Sequence, residues 1–389
     1  MDISERYVRL CLRVGRHVDG FIDAFFGPSE WEQSVAVDEP VDPRRLRDEA
    51  ELLLEHLGDA HLEDDRRRWL RGQLGALECV TARLSGEGIA WADEVERCLG
   101  VRPARIDTRV FEAVHRRLDD ALAGSGTVRE RYVAWDERNA VPRDKLVPAL
   151  DRLKEVLVPR AHALTPLPPE ESVTYEIVSG KPWIAYAWYA GEHRTRVEVN
   201  ADLPISIVLL AELAAHEAYP GHHTERTAKD VHLYRDLGRL ETSVVIISAP
   251  EALVSEGIAT NALEEALGPE PFGVIADILA DLDLTFDPAE AHEIARAETA
   301  LYGPAINAAF MLHEDGATTE EAEEYLREWA LESNEKAART VAFLTDASSR
   351  AYISTYTDGR RLCRDFADRG PGNFTRLLTE QLTTADLLP

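Results

Sequence analysis

The segment from residue 214 to residue 225, AAHEAYPGHHTE, holds residue types that bind metal ions and move protons. Three of the chain's 12 histidines lie in it, around the pair Pro220 and Gly221. The opening His216-Glu217 is like the start of HExxH, a zinc-binding helix motif whose two histidines share one face because they are four residues apart. Pro220 stands where the second histidine would be. The chemistry therefore depends on whether a later histidine reaches the same ion.

In an unbroken helix neither later histidine could do so. His222 would lie about 120° around the axis from His216, and His223 would lie about 10 Å further along it. Pro220 cannot donate to the carbonyl of His216 and its ring clashes with that carbonyl, while Gly221 tolerates the backbone of a bulge. We therefore predict that two extra residues loop out and return His222 to the metal. His223 stays open as the alternative.

A lone histidine here would simply be a polar group near a helix end. Three histidines beside Glu217, preceded by the apolar run ISIVLLAELAA, instead favour a metal site. Zinc in a hydrolase takes three protein ligands and keeps one position for water. Glu256, in the apolar stretch APEALVSEGIATNALEE, is the predicted third ligand. Glu251 is the weaker alternative, and acidic residues are so abundant that either one alone would be read as a surface residue.

The elements that must position these residues are predicted to be mostly helical. From Ile3 to about Leu164 apolar residues recur at intervals of three and four, as in amphipathic helices, and TPLPPEE is the best internal boundary. Helix returns with ISIVLLAELAAHEAY and continues to the end. We predict a single catalytic domain over residues 1–389, with an N-terminal helical lobe at 1–165 and a metal-binding lobe at 170–389.

Short strands are predicted at about 172–200, directly before the metal helix. SVTYEIVSGKPWIAYAWYA and RTRVEVNADLP are rich in β-branched and aromatic residues, which favours two or three antiparallel strands. Such strands could pair with an extended peptide backbone. Arg194 and Arg196 could bind a terminal carboxylate, although alternating arginines on a strand more often form its solvated face.

Composition excludes some classes of partner. Acidic residues outnumber basic ones by 71 to 43, and a net charge of -28 would repel a phosphate backbone, so nucleic acid is not expected as a partner. Charges interrupt the first apolar run, and no window approaches the length of a membrane span, so we expect no signal peptide, no membrane partner and a cytoplasmic location. The four cysteines are far apart and are predicted to be reduced thiols.

HEAYPGHH followed by SEGIA resembles the bacterial domain of unknown function 885 family, whose members carry a His-Glu-x-x-Pro-Gly-His-His stretch and then a Glu-Gly-Trp-Ala-like one. The resemblance covers roughly residues 170–389. This chain is shorter than typical members, and Ile258 and Asn261 replace the Trp and Tyr that the family prefers. The family is similar to the helical zinc peptidases of the carboxypeptidase Taq and angiotensin-converting enzyme types. Their zinc helix ends in Gly-His, which favours His222 over His223.

The resemblance implies a mostly α, helical zincin-like metallopeptidase with a small antiparallel sheet beside the metal helix and a deep cleft. It implies Zn²⁺ on His216, His222 and Glu256, with Glu217 as the general base. ISTYTDGRRL resembles a family stretch with Tyr before Gly, which makes Tyr356 a candidate oxyanion donor or, equally, a core tyrosine.

The expected substrate is a short peptide, cleaved in the manner of a carboxypeptidase or oligopeptidase, and a homodimer is compatible with the sequence. Two other functions use the same motif. One is a zinc hydrolase of a non-peptide amide or ester, and the other is a helical binding protein with a vestigial or structural metal, for which His223 would be the fourth ligand. Mn²⁺ or Co²⁺ could use the same ligands as Zn²⁺.

Overall fold

Helices dominate the computed structural model, which describes residues 2–389, and the prediction of a mostly α protein is confirmed. In α1 the buried residues Tyr7, Leu10, Cys11 and Val14 follow the predicted apolar spacing. One short strand, β1 (Ile22–Phe25), follows α1. The helices before residue 165 are α1 (Ile3–Gly15), α2 (Ser29–Val37), α3 (Pro43–His56), α4 (Asp64–Leu84), α5 (Trp91–Leu99), α6 (Thr108–Ala121), α7 (Val128–Arg138) and α8 (Arg143–Leu164).

The predicted strands form a sheet of three: β2 (Ser172–Val178), β3 (Ala185–Tyr189) and β4 (Arg194–Asn200). The spatial order is β2-β4-β3, and β3 pairs with β4 in antiparallel register. The prediction of an antiparallel sheet is wrong for β2 and β4, which are parallel. The cause is the strand order. β3 does not pair with β2, and the hairpin after β3 places β4 between the two, where β4 runs opposite to β3 and in the same direction as β2.

A second sheet joins a strand from the N-terminal part of the chain to one that follows the histidine segment. β1 pairs with β5 (Val244–Ile246) in antiparallel register, and Ile22 faces Ile246. Neither strand was predicted, since segments this short are below the length at which alternation can be recognised. The pairing brings β1, and with it Asp23, to the part of the chain that contains the histidines.

The helices after the sheet surround the histidine segment. They are α9 (Ile207–Leu213), α10 (His222–Lys229), α11 (Pro250–Leu267), α12 (Phe272–Leu279), α13 (Pro288–Leu301), α14 (Gly303–Phe310), α15 (Thr319–Trp329), α16 (Asn334–Thr345), α17 (Arg360–Ala367), α18 (Asn373–Thr379) and α19 (Thr384–Leu387). Two large apolar clusters form the core, and each combines residues from before and after residue 165. The division into lobes at 1–165 and 170–389 stays a prediction.

Helix α11 packs closely against the segment that leads into α17. A Cβ atom on Gly257 would lie 2.4 Å from the carbonyl oxygen of Gly359, and one on Gly359 would lie 2.5 Å from the carbonyl oxygen of Leu253. Both glycines are therefore required by the close approach of two backbones. Since Gly257 directly follows Glu256, this packing also fixes the position of the predicted third ligand.

We expect Gly257→Ala to destabilise the fold by about 1–3 kcal/mol, because the added methyl group overpacks this contact. Gly75→Ala is the matched control. Gly75 lies inside α4 with nothing within 4 Å of an added Cβ, so this change should stabilise the helix by about 0.5–1 kcal/mol. Urea denaturation followed by circular dichroism measures both, and equal stability of the two variants would contradict the packing argument.

Candidate metal centre

The helix that carries His216 ends before His222. After α9 the backbone forms one π-helical turn over Ala214–Ala218, and Tyr219 is extended, with φ -127° and ψ 122°. A new helix, α10, starts at His222. The predicted break is present, but it is a complete interruption and not a two-residue bulge inside one helix. His216 therefore lies at the end of one helical segment and His222 at the beginning of the next.

Gly221 allows the chain to turn this sharply. Its N–H donates to the carbonyl of Ala215 over 3.0 Å. A Cβ atom on residue 221 would lie 2.0 Å from the carbonyl oxygen of His216. No side chain fits in that space, so glycine is required here because of the close approach and not because of its φ.

His216, His222 and Glu256 come together across this break. One potential ligand atom from each lies within 4.8 Å of the other two. Nε2 of His222 is 3.2 Å from Oε1 of Glu256, and Nε2 of His216 is 3.4 Å from Oε2. The two imidazole rings are nearly perpendicular, with centroids 4.7 Å apart.

These atoms fit the requirements of a divalent cation. Two imidazole nitrogens and one carboxylate oxygen are a donor set that zinc uses in hydrolases. Metal bonds of about 2.0–2.1 Å in a tetrahedron place neighbouring ligand atoms about 3.3 Å apart, close to the separations seen here. In addition, Oε2 of Glu256 is buried, and its contact with Nε2 of His216 at 3.4 Å does not have the geometry of a hydrogen bond. A cation would supply the missing partner.

The charges of the three side chains depend on one another. Burial alone would raise the pKa of Glu256, but the adjacent His222 and His216 hold that pKa well below its usual range. Burial would lower the pKa of His216, and the Glu256 carboxylate raises it to about 9. Tyr352 also donates a hydrogen bond of 2.7 Å to Oε1 of Glu256. The carboxylate is therefore ionised and held in place.

Glu217 lies beside this cluster. Its side chain is 6% exposed and accepts no hydrogen bond from the described residues. Burial raises the pKa of Glu217, although the nearby His216 and His222 partly oppose this. A carboxylate with a raised pKa and no fixed partner is suited to accept and release a proton.

Both alternative ligands point elsewhere. The ring of His223 is fully buried, with Nδ1 2.7 Å from the Thr195 hydroxyl and Nε2 2.8 Å from Oε2 of Glu171. Glu251 contacts Lys229 over 3.3 Å. Because both nitrogens of His223 are already engaged, only His222 of the two neighbouring histidines faces Glu256.

Tyr356 borders the cluster but does not touch Glu256 with its hydroxyl. Its ring stacks on Tyr302, with centroids 5.5 Å apart, and meets Tyr352 edge to face at 5.7 Å. Burial, followed by the nearby Glu256 carboxylate, raises the pKa of Tyr356, so its phenol keeps its proton. Tyr356 thus has a free hydroxyl among the described residues, whereas the hydroxyl of Tyr352 is bound to the carboxylate.

Two residues near the cluster, Tyr352 and Asp23, were not among the predicted site residues. Tyr352 lies in a turn four residues before Tyr356, so helical periodicity did not indicate it. Asp23 of β1 accepts hydrogen bonds from Tyr186 and from Arg226. Burial is the main cause that raises the pKa of Glu217 and of Tyr352, and the charge of Asp23 adds to it. Nothing in the local sequence around Asp23 indicated that role, because its position depends on the pairing of β1 with β5.

The two arginines of β4 are outward-facing. Arg196 pairs with Glu198 on its own strand and with Glu176 on β2, and Arg194 is exposed. This arrangement matches the solvated face of a strand, and the structure does not bring either residue to Glu256.

Comparisons with known proteins give the fold and no activity. No protein-family model matches the chain, and no curated protein matches it. One similar solved structure is described as "the putative lipoprotein from Colwellia psychrerythraea". It has a TM-score of 0.52 and 16% identity, and the match covers 87% of this chain and 65% of that one. Another, described as "a putative lipoprotein of unknown function from Shewanella oneidensis", has a TM-score of 0.50 and 13% identity, with 92% and 75% covered.

At these identities the likeness concerns the fold alone. The chain spans 65% of the length of the Colwellia psychrerythraea protein. Within residues 2–389 no helix combines the length and the apolar character needed to cross a bilayer. The cytoplasmic location, the family and the deep cleft all stay predictions.

The two neighbouring histidines can be separated by their metal content. We expect His222→Ala to lose stoichiometric zinc, because it removes one of the three converging atoms. His223→Ala should retain zinc and instead lower the unfolding temperature, because it leaves Thr195 and Glu171 without their buried partner. Elemental analysis and thermal unfolding measure the two properties. Normal zinc in the His222 variant would reject its assignment as a ligand.

The contact of Glu171 with His223 predicts how stability depends on pH. Burial would raise the pKa of Glu171, but hydrogen bonds from His223 and Tyr219 lower it to about 2. A folded pKa below the unfolded value of about 4.3 contributes stability that is complete above that value and is lost as the pH falls towards 2. The stability advantage of wild type over Glu171→Gln should therefore shrink between pH 5 and pH 2.5. An advantage that stays constant in urea titrations would contradict the lowered pKa.

Proposed function

We propose that the chain is a zinc-dependent metallopeptidase that hydrolyses short peptides. The observation that carries this proposal is the convergence of His216, His222 and Glu256 beside Glu217, which has no hydrogen-bond partner among residues 2–389. The resemblance of HEAYPGHH and SEGIA to the domain of unknown function 885 family supports it. The same resemblance makes membership of that family part of the proposal.

Each residue has a separate task in this proposal. His216, His222 and Glu256 hold the ion, which when bound supplies an electrophile and lowers the pKa of water at the centre to about 7. Glu217 accepts the proton of the attacking water and returns it to the leaving amine. Tyr356, whose hydroxyl is free and protonated, donates a hydrogen bond to the oxyanion that develops on the substrate carbonyl.

The contacts of His223 support a metal site with only three protein ligands, which would leave one position for water. A structural zinc site would need a fourth protein ligand, and His223 is the obvious candidate by sequence. Both of its ring nitrogens are engaged by Thr195 and Glu171. The reading as a binding protein with a structural metal is therefore the weaker one.

A peptide is preferred over a non-peptide amide or ester because of the edge of the small sheet. Asn200 N–H donates to the carbonyl of Ile184, and Ala190 N–H donates to that of Arg194. The backbone groups of Ala187 between them therefore point away from β4, to the edge of the sheet that pairs with no other strand of residues 2–389, since pairing directions alternate along a strand. β3 packs beside the π-helical turn that carries Glu217. An extended peptide that paired with this edge would lie next to the proposed base.

Replacement of Glu217 by Gln tests the proposal. The variant keeps the shape of the side chain but cannot accept the proton, so we expect it to bind zinc as wild type does. Hydrolysis of a short-peptide library, followed by mass spectrometry, should fall about 100- to 10 000-fold. The exposed Glu335→Gln is the control and should leave both properties unchanged.

Three outcomes would contradict parts of this function. Unchanged turnover by Glu217→Gln would reject Glu217 as the base. Zinc binding without hydrolysis of any peptide, amide or ester by wild type would favour the structural-metal function. Cleavage restricted to non-peptide amides or esters in the same assay would retain the hydrolase and replace the substrate.

A further inference from the structure

The ring of His222 is held at its second nitrogen. Nδ1 lies 3.1 Å from Oγ of Ser255, and both side chains are buried. Ser255 directly precedes Glu256 on α11. The residue that contacts one proposed ligand is therefore the neighbour of another. His216 differs, because neither of its ring nitrogens has a hydrogen bond to the described residues apart from the contact with Glu256.

A chain of buried groups fixes the direction of this hydrogen bond. Lys229 donates to Oε1 of Glu225 over 2.7 Å, and Ser255 donates to Oε2 of the same carboxylate. A serine hydroxyl has a single proton. Since that proton is given to Glu225, Oγ must accept from His222, and Nδ1 of His222 must carry the hydrogen. In the neutral imidazole the lone pair is then on Nε2, the nitrogen that lies 3.2 Å from Oε1 of Glu256.

The helix α10 supplies the spacing for this chain of contacts. Residues three or four apart share a helix face, so Glu225 lies on the same side as His222, and Lys229 lies one turn beyond. At its far end Lys229 also contacts Glu251 over 3.3 Å. Glu251, the alternative ligand in the sequence analysis, instead contacts the Lys229 ammonium group, which in turn donates to Glu225.

We propose that Ser255, Glu225 and Lys229 form a positioning relay for His222. The relay keeps the imidazole in the Nδ1–H tautomer and in one orientation, which leaves Nε2 as the metal ligand. The negative charge of Glu225 polarises the Ser255 hydroxyl and, through it, the Nδ1–H group of His222. This makes Nε2 more basic and therefore a stronger metal ligand. This proposal rests on the metal centre proposed above, and it concerns the affinity and geometry of that centre and not a direct contact with substrate.

Zinc affinity of the full chain tests the relay. We expect Ser255→Ala and Glu225→Gln each to weaken zinc binding about 10- to 100-fold, as measured by competition with a chromophoric chelator. The double variant should lose no more zinc affinity than the single variant with the larger loss, because both changes break one chain of contacts. The visible spectrum of Co²⁺ bound in place of zinc should shift in each variant, since the His222 ring is no longer held.

Ser243→Ala is the matched control, because its buried hydroxyl also donates a single hydrogen bond but to the carbonyl of Leu240, in a different part of the fold. It should keep the zinc affinity and the Co²⁺ spectrum of wild type. Glu225→Gln preserves shape, so it decides the question if Ser255→Ala fails to fold.

The results separate this proposal from the proposed function. Wild-type affinity and spectrum in both single variants would overturn the relay while leaving the metallopeptidase intact, and so would losses that add in the double variant. A wild-type protein that binds no divalent ion would overturn the metal centre itself, and the relay with it.

Discussion

The site depends on the interruption of one helix between His216 and His222. Six residues in regular helical geometry would separate their side chains both around and along the axis. Pro220 removes the N–H that would continue the helix, and Gly221 lets the chain pass against the carbonyl of His216, where a Cβ atom would lie 2.0 Å away. The new helix then starts with His222 as its first residue. The convergence of the two imidazoles is thus a consequence of the broken backbone.

The position of Glu256, the proposed third ligand, depends on a different constraint, the close approach of two backbones. Gly257 and Gly359 have no room for a side chain, and together they let α11 lie directly against the segment before α17. That segment also carries Tyr352, which donates to Glu256. One packing contact therefore sets the position of the carboxylate and of the tyrosine that holds it. The N-terminal part contributes through β1, whose pairing with β5 brings Asp23 towards Glu217.

Features of the site that depend on neighbours in sequence could be predicted, and features that depend on topology could not. Proline and glycine act through local backbone chemistry, so the break and its effect on His222 follow from residues 216–222. Glu256 could be selected by its apolar setting. The parallel pairing of β2 with β4, however, depends on the order of strands, and periodicity carries no information on order. Asp23 and Tyr352 were missed for the same reason, since long-range packing brings Tyr352 to Glu256 and Asp23 towards Glu217.

The start of α10 places the neighbouring residues His222 and His223 against two different parts of the fold. At the start of a helix, consecutive side chains point about 100° apart, so His222 and His223 must face different partners. His222 faces Glu256 and Ser255, while His223 is buried against Thr195 of β4 and Glu171, which precedes β2. The second histidine therefore attaches the small sheet to the same helical turn that carries the first. If the sheet binds substrate at its β3 edge, His223 keeps that edge at a fixed distance from the proposed metal centre without being one of the proposed ligands. This explains why a histidine with both nitrogens engaged by the sheet side stands beside one whose Nε2 faces Glu256.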